Sequence, residues 1–490
     1  MYREADLKSV GRSAAEEIGR RKEWIHRRVE TVSFPSPHER IYRRQVSIDF
    51  SIPNLKPVPH RVTAGRDSDR ATDRAEGDVG QGDRYYVPLS YLRKWPPLLR
   101  LDLRNAADQP VPLLTRKQNE TLDAELLLAL AAHVLDGEIE DEDLRKQLNI
   151  LATTRDKDDA SRALLSAMPP SALGSPAPER KRLREHPHFR EVAGALRDNT
   201  LLWLRVEGQP GDREMVKFSY DIPMRQLVKG RSMAAFGLRA FKVRFETPHI
   251  GGAGSYHLNI SAPAPLQVPD ARIVINDPRT AEGHPEEDRV VAVCDATRRE
   301  AREVLAQGPL ELYAHRVGRQ ARFYVHGDRA GSRGEAWVAL LAEKSGFVTG
   351  AATAAVGTAA LLGLFAFRLG TVLDQVEAAV ALLLLAPALL AYLVVRPGEH
   401  ALVGQFLTGL RRLLLGVAAL PLVGAAMIVG AGGEKTDTLC AAFAVLFGLA
   451  CLGAVGLTAG AIFPLGKHRR PLTVAEASEG SSSADAADAT

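Results

Sequence analysis

Between Val348 and Leu465 the chain carries four apolar stretches of membrane-spanning length, and no other feature restricts its fold as much. A helix needs roughly 20 apolar residues to cross a bilayer core, because each backbone polar group left unsatisfied in lipid costs several kcal/mol. The stretches lie at about 348–367, 376–395, 413–431 and 439–465, and none holds a charge in its central part. They are joined by a few residues or by one short basic segment, too little chain to bury four such runs in a globular core. The expected fold class is therefore a soluble α+β region followed by an all-α four-helix transmembrane region, residues 346–466.

Composition averaged over all 490 residues, 46% hydrophobic and 25% charged, hides this division. Arg, Asp and Glu dominate before Gly346, and Ala, Leu, Val and Gly after it. Met1 to Glu30 is charged throughout and lacks the apolar core of a signal peptide, so the soluble region is expected to stay in the cytoplasm. Basic residues near the helix ends agree with that orientation. Arg396, Arg411 and Arg412 fall in the second-to-third link, and Lys467, His468, Arg469 and Arg470 open the tail; the other two links hold Arg368 and Lys435. Four spans return the C-terminus to the cytoplasmic side of the inner (plasma) membrane, with residues 467–490 as a disordered tail. Glu399 to Leu410 reads as an interfacial helix with Leu402, Phe406, Leu407 and Leu410 on one face. Small-residue pairs at Gly350/Ala354 and Gly456/Gly460 are candidates for close helix packing. Pro387, Pro421 and Pro464 are expected to bend or end their helices. No acid lies deep in a span, which argues against a secondary transporter.

In the soluble region, residues 1–34 read as an N-terminal amphipathic helix, with Leu7, Val10, Ala14, Ile18, Ile25 and Val29 near one face. Residues 35–345 read as a mainly antiparallel β-sandwich. Val46, Ile48, Phe50 and Ile52 alternate with polar residues, the mark of a half-buried strand. Residues 60–84 are Gly- and Asp-rich without periodicity and read as a disordered loop. Leu98–Arg104 and Val111–Arg116 are expected to pair around a turn. A helical insertion over 119–200 follows, with helices at Thr121–Leu135, Asp141–Ala152, Asp158–Met168 and Phe189–Asp198. Leu201–Val206 and Met215–Tyr220 flank Gly208–Gly211 like the arms of a hairpin. Further strands are expected near Phe241–Phe245, Tyr256–Ile260, Ile273–Ile275, Val290–Val293, Leu310–Tyr313, Ala321–Val325 and Ala336–Leu340. Many short strands with Gly/Pro turns favour the sandwich, and Glu343–Phe347 tethers it close to the bilayer.

No P-loop, GxSxG, HExxH, kinase or EF-hand pattern occurs. Gly251-Gly252-Ala253-Gly254 does not open a helix, where N–H groups would converge on an anion, and fits a turn or bulge better. Ser255 and His257 lack a third orienting group for a hydrolase. The acids Glu138, Glu140, Asp141, Glu142 and Asp143 suit a helix N-terminus rather than a calcium loop. Arg180, Lys181, Arg182 and Arg184 could hold phosphate or an acidic partner but fit a solvated linker better. Cys294, Cys440 and Cys451 form no metal or disulfide pattern. No catalytic, cofactor-binding or metal-binding residue is assigned, and no cofactor is expected. A net charge of +4 gives no argument for nucleic acid.

The stretch SYHLNISAPAPLQV (Ser255–Val268), the segment LLWLRVEGQPGDREMVKFSYDIP and the C-terminal spans resemble multi-pass membrane proteins of actinobacteria, over about residues 40–430. The resemblance implies membrane anchorage and carries over no functional residue. The expectation is a membrane-tethered cytoplasmic binding or sensing module without catalysis. Its partners would be the lipid bilayer, a protein partner of the soluble domain and a second copy in a homo-oligomer. The alternatives are an oligomerising membrane effector or pore, and an enzyme with an unfamiliar site.

Overall fold

Side-chain parity sets the inner face of the largest sheet. The computed structural model describes residues 4–35, 41–58, 83–95, 98–169, 177–223, 240–247, 250–264, 266–276, 289–294, 311–326, 333–342, 348–373, 375–394, 400, 403–404, 407–431 and 437–462. Successive strand residues point to opposite faces. In β1 (Ile25–Ser33) and β2 (Ile41–Ser51) the even-numbered residues from Arg28 to Val32 and from Tyr42 to Phe50 are buried, and the odd-numbered ones from Arg27 to Ser33 and from Arg43 to Ser51 are more accessible.

The N-terminal helix is shorter than its apolar periodicity suggested. α1 (Glu4–Glu17) passes through a 3-10 turn at Ile18–Arg20 into the short α2 (Arg21–Trp24), and β1 begins at Ile25. Ile25 and Val29 therefore belong to a strand. Their four-residue spacing suits a helix face, but pairing with β2 on one side and β8 (Ser255–Ser261) on the other outweighs local periodicity.

The remaining strands are β3 (Asp83–Arg93), β4 (Leu99–Asn105), β5 (Asn199–Gly208), β6 (Arg213–Pro223), β7 (Phe241–Thr247), β9 (Leu266–Asn276), β10 (Arg289–Cys294), β11 (Glu311–Val317), β12 (Gln320–His326) and β13 (Arg333–Ala342). They form a seven-stranded sheet in the order β11-β12-β8-β1-β2-β6-β4, a four-stranded sheet β10-β9-β13-β7 and a two-stranded sheet β3-β5. Pairing is antiparallel except between β1 and β8, which run parallel. Tyr42 of β2 meets Phe245 of β7 edge to face at 5.4 Å, which brings the inner faces of the two larger sheets together.

Two strand expectations are corrected. β5 and β6 are joined by a tight turn but do not form a hairpin, since β5 pairs with β3 and β6 with β2 and β4. The connection instead grips Ile52, whose N–H donates to Asp212 O at 2.9 Å while the Gly211 N–H donates to Ile52 O at 2.8 Å. Val111–Arg116 is not a strand either: beyond the Arg104–Pro110 bridge and the Val111 N–H to Leu103 O bond, Thr115 becomes a helix cap. Of the expected loop 60–84, Asp83 and Arg84 open β3, and the rest lies outside the described residues.

The helical insertion comprises α3 (Arg116–Leu135), α4 (Glu142–Thr153), α5 (Lys157–Ala167), α6 (Pro178–Glu185) and α7 (Pro187–Asp198). Thr115 and Gln118 close a capping box on α3, while Asp141 and Asp156 cap α4 and α5 through backbone N–H groups. α6 occupies the segment expected to be a solvated linker.

Beyond the sheets lie α8 (Thr349–Leu373), α9 (Val376–Val394), α10 (Thr408–Gly430) and α11 (Asp437–Ile462). Among the described residues three stretches are long and apolar enough to cross a membrane: Thr349–Leu369, Thr408–Gly430 and Asp437–Ala459. The fourth, Val376–Ala388 in α9, is shorter and ends one residue past Pro387. α8 leaves helical geometry at Arg368 (φ −122°, ψ 27°). α10 starts at Thr408, earlier than the expected 413, and continues unbroken through Arg411, Arg412 and Pro421. Leu402, Phe406 and Pro464, the link Glu343–Phe347 and the tail 467–490 lie outside the described residues. Within one chain the small-residue pairs at Gly350 and Gly456 do not make the closest helix approaches. A Cβ on Gly350 would meet nothing within 4 Å, and one on Gly456 would only touch Leu413 at 4.0 Å. Closer approaches are Gly453 to Val417, Gly363 to Phe447 and Gly424 to Phe443, where an added Cβ would lie 2.6, 2.9 and 3.1 Å from the facing side chain.

Among the described residues the β-rich and apolar regions come together along the chain and through an aromatic contact. β13 ends at Ala342 and α8 begins at Thr349. Phe34, just past β1, packs edge-on against His400, ahead of α10, with ring centroids 6.0 Å apart.

Candidate functional site

A recess of about 930 Å³ lies between α1 and the helical insertion. α1 crosses α3 closely because Gly11 faces Glu125, where a Cβ would come within 2.6 Å of the Glu125 Cβ. Below that crossing the helices part. Arg12, Glu16 and Arg20 line one wall; Glu125, Leu128 and His133 of α3 line the other; Glu138, Ile139 and Arg145 close one end.

The other end is built by the α6–α7 junction. His186 caps α7 by accepting the Phe189 N–H on Nδ1 at 3.3 Å, which requires that nitrogen to be unprotonated. His188 points toward the bare backbone of Gly19, where a Cβ would lie 3.1 Å from its Nε2. Burial, followed by the neighbouring His186 and His133, pushes the His188 imidazole below its ordinary value. The recess thus presents three arginines, three glutamates and three histidines beside a few apolar side chains. Charges of both signs within one concave wall suit a polar ligand that carries both signs itself. Among the described residues no group of three His, Cys, Asp or Glu side chains is placed to hold a metal ion.

The basic and acidic clusters seen in the sequence are brought together, on each other. Arg180 donates to Asp141 at 2.9 Å, to Asp143 at 2.8 Å and to the Ser166 carbonyl at 2.8 Å. Arg182 pairs with Asp136 and also donates to Leu135 O at 3.1 Å, while Arg184 donates to Pro169 O at 2.8 Å. These arginines staple α6 to the end of α3 and the start of α4. Asp141 and Asp143 sit below the usual carboxylate range, chiefly through the hydrogen bonds from Arg180.

Gly251–Gly254 forms the turn into β8. The Gly254 N–H donates to Ile25 O at 2.8 Å, and a Cβ there would come within 3.0 Å of His26 O, so the glycine serves close backbone approach. Ser255 and His257 share the outward face of β8 without forming a catalytic pair. Ser255 Oγ donates to His26 O at 3.4 Å, and the His257 ring lies 4.6 Å from that of Tyr324. Cys440 and Cys451 are free, half-buried thiols on α11.

Three buried polar centres escaped the motif search. Glu30, 0% exposed, accepts from Arg28 Nε at 2.7 Å and lies 3.5 Å from Arg44. Arg28 also donates to Ser90 of β3 at 3.1 Å, and Arg44 to the Glu246 carbonyl of β7 at 2.6 Å. One ionic cluster therefore ties together all three sheets. Burial alone would raise the Glu30 carboxyl, but Arg28 and Arg44 outweigh it and hold it below its ordinary value. Asp123 accepts from Thr200, Leu201 and Trp203, and burial pushes it up to about 6. Lys94 donates to the carbonyls of Leu151, Ala152 and Leu196 at 2.8–3.0 Å, and burial pushes it down to about 8. All three are explained by tying elements together. Parity was the available signal for one of them: Arg28 and Glu30 share the buried parity of Val32, and Arg44 that of Val46 and Ile48.

Compared with protein-family models, with curated proteins and with solved structures, the chain matches none.

Proposed function

We propose that the protein is a membrane-anchored binding and sensing module, in which apolar helices hold a β-rich domain at the cytoplasmic face and the recess beside α1 takes a small polar ligand bearing both charge signs. The recess itself carries this reading. Its walls come from α1, α3 and the α6–α7 junction, so an occupant would bridge α1 to the helical insertion beyond the Gly11 crossing. On this reading α9 is the fourth span of a four-helix bundle. The cytoplasmic placement is supported by Arg411 and Arg412 in the first turn of α10. Contact between the inner faces of the seven- and four-stranded sheets supports a sandwich as the domain's frame.

The test is thermal unfolding of the full-length chain in detergent against amino acids, short peptides, dicarboxylates and nucleotides. One class should raise Tm in the native chain and fail to do so in Arg12→Ala and Glu138→Ala, whose side chains are exposed at the rim. If no class shifts Tm, or the variants respond like the native chain, the reading is wrong.

A further inference from the structure

Among the described residues, the outward-facing side chains along β11, β12, β8 and β1 are half-buried or exposed. Its two halves differ in chemistry. Across β2, β6 and β4 the acids are matched by bases on the same face: Asp49 by Arg213, Asp221 by Arg43 at 2.8 Å, and Asp102 by Arg104 at 2.8 Å.

The other half carries rings. Tyr313, Tyr324 and His257 lie directly across from one another on β11, β12 and β8, in register with Val29 of β1. Tyr324 stands at the centre, 4.6 Å from His257, 5.9 Å from Tyr313 and 6.3 Å from His326, and it is nearly parallel to His326. Tyr313 remains 46% exposed. Exposed Arg322 follows on one side of this row, and exposed Arg27, in register with Ser255, on the other. Among the side chains described on this face of the four strands there is no acid.

We propose that this half of the face binds single-stranded nucleic acid, with bases stacking on Tyr313 and Tyr324 and backbone phosphates meeting Arg27 and Arg322. Aromatic side chains set among basic ones suit a chain that alternates planar rings and phosphates, because every base has a face to stack and every linkage a charge to pair. The net charge of +4 over the whole chain hides this local imbalance. The surface is open rather than concave, so it suits a polymer that repeats the contact better than a lone nucleotide. A lipid surface fits less well. Phe34 marks the end of β1 that meets His400, and the ring row lies five residues up the strand at Val29, roughly 16 Å away at the usual strand rise. The site is separate from the recess beside α1, so neither proposal depends on the other.

The test is fluorescence anisotropy of the full-length chain in detergent with labelled oligouridine and oligothymidine of about ten nucleotides, titrated over salt. Binding is expected at low salt. Tyr313→Ala and Tyr324→Ala should each weaken it on the order of tenfold. Arg27→Gln and Arg322→Gln should each reduce the salt slope by about one. The ratio of ribo- to deoxyribo-oligomer affinity then identifies the preferred sugar. Arg27 and Arg322 are exposed, so their variants keep the test decisive if a tyrosine variant misfolds. No binding at low salt, tyrosine variants that fold and bind like the native chain, an unchanged salt slope in the arginine variants, or binding only to phosphatidylserine vesicles would each overturn the proposal.

Discussion

The indole N–H of Trp203 donates to the Asp123 carboxylate at 2.8 Å, fastening α3 to β5 inside the core. Thr200 Oγ1 and the Leu201 N–H reach the same carboxylate at 2.6 and 3.1 Å. Removing it strands three donors, and each buried orphan costs about 1–3 kcal/mol. Asp123→Ala should therefore lower stability by about 3 kcal/mol or more, read as a fall in the urea midpoint. The pH dependence has a definite sign. The folded carboxyl, raised to about 6, binds its proton more readily than an unfolded one near 3.8, so its contribution is full below the lower value and is lost as pH rises through the upper. The stability gap between the native chain and Asp123→Ala should be wider at about pH 4.5 than at about pH 7. A gap independent of pH would refute this.

Lys94 holds the C-terminal carbonyls of α4 and α7 against the end of β3. Lys94→Met keeps most of the apolar stem and removes the donors. It should cost about 2–4 kcal/mol and speed amide exchange at the ends of both helices before the rest of the domain opens. Uniform acceleration across the domain would contradict this.

Glu30→Gln leaves Arg28 and Arg44 buried without their counter-charge, a loss of about 3–5 kcal/mol. The folded carboxyl lies below its ordinary value, so its stabilisation is present above about pH 4.5 and disappears as pH falls through the folded value. The native chain should show an acid limb in stability that the variant lacks. A variant as stable as the native chain near neutrality would rule out the cluster as a tie between sheets.

In the apolar region, Gly363→Leu and Gly424→Leu should each lower the melting temperature in detergent, because the new side chains collide with Phe447 and Phe443. Gly350→Leu enters open space and should be nearly neutral. Equal effects at all three positions would count against the helix packing described.

Much of the fold was legible where local pattern and final environment agree. Val46, Ile48 and Phe50 alternate because one face of β2 is core, and Asp141 before an apolar period marked the start of α4. Legibility failed where partners lie far apart in sequence. Nothing local in Leu201–Val206 reveals that it pairs with Asp83–Arg93 rather than with the strand across its own turn. β3 itself is buried over a continuous run from Tyr85 to Ser90 and interrupted by Pro88, so it shows no alternation. Ile25 and Val29 satisfied a helical period and a strand parity equally, and only their neighbours β2 and β8 decided between them. Of the recess beside α1, Glu138 had been noted for its charge alone. The pairing of its walls depends on Gly11 lying against Glu125, a contact between residues more than a hundred positions apart.

The contact between Phe34 and His400 joins the start of the β-rich region to the segment ahead of α10. β13 leads toward α8 and Phe34 rests ahead of α10, so the β-rich region approaches the apolar helices at more than one point among the described residues. Glu30, where all three sheets are tied together, stands four residues up β1 from Phe34. The aromatic contact with the segment ahead of α10 and the ionic tie between the sheets thus lie within five residues of one another on the same stretch of chain.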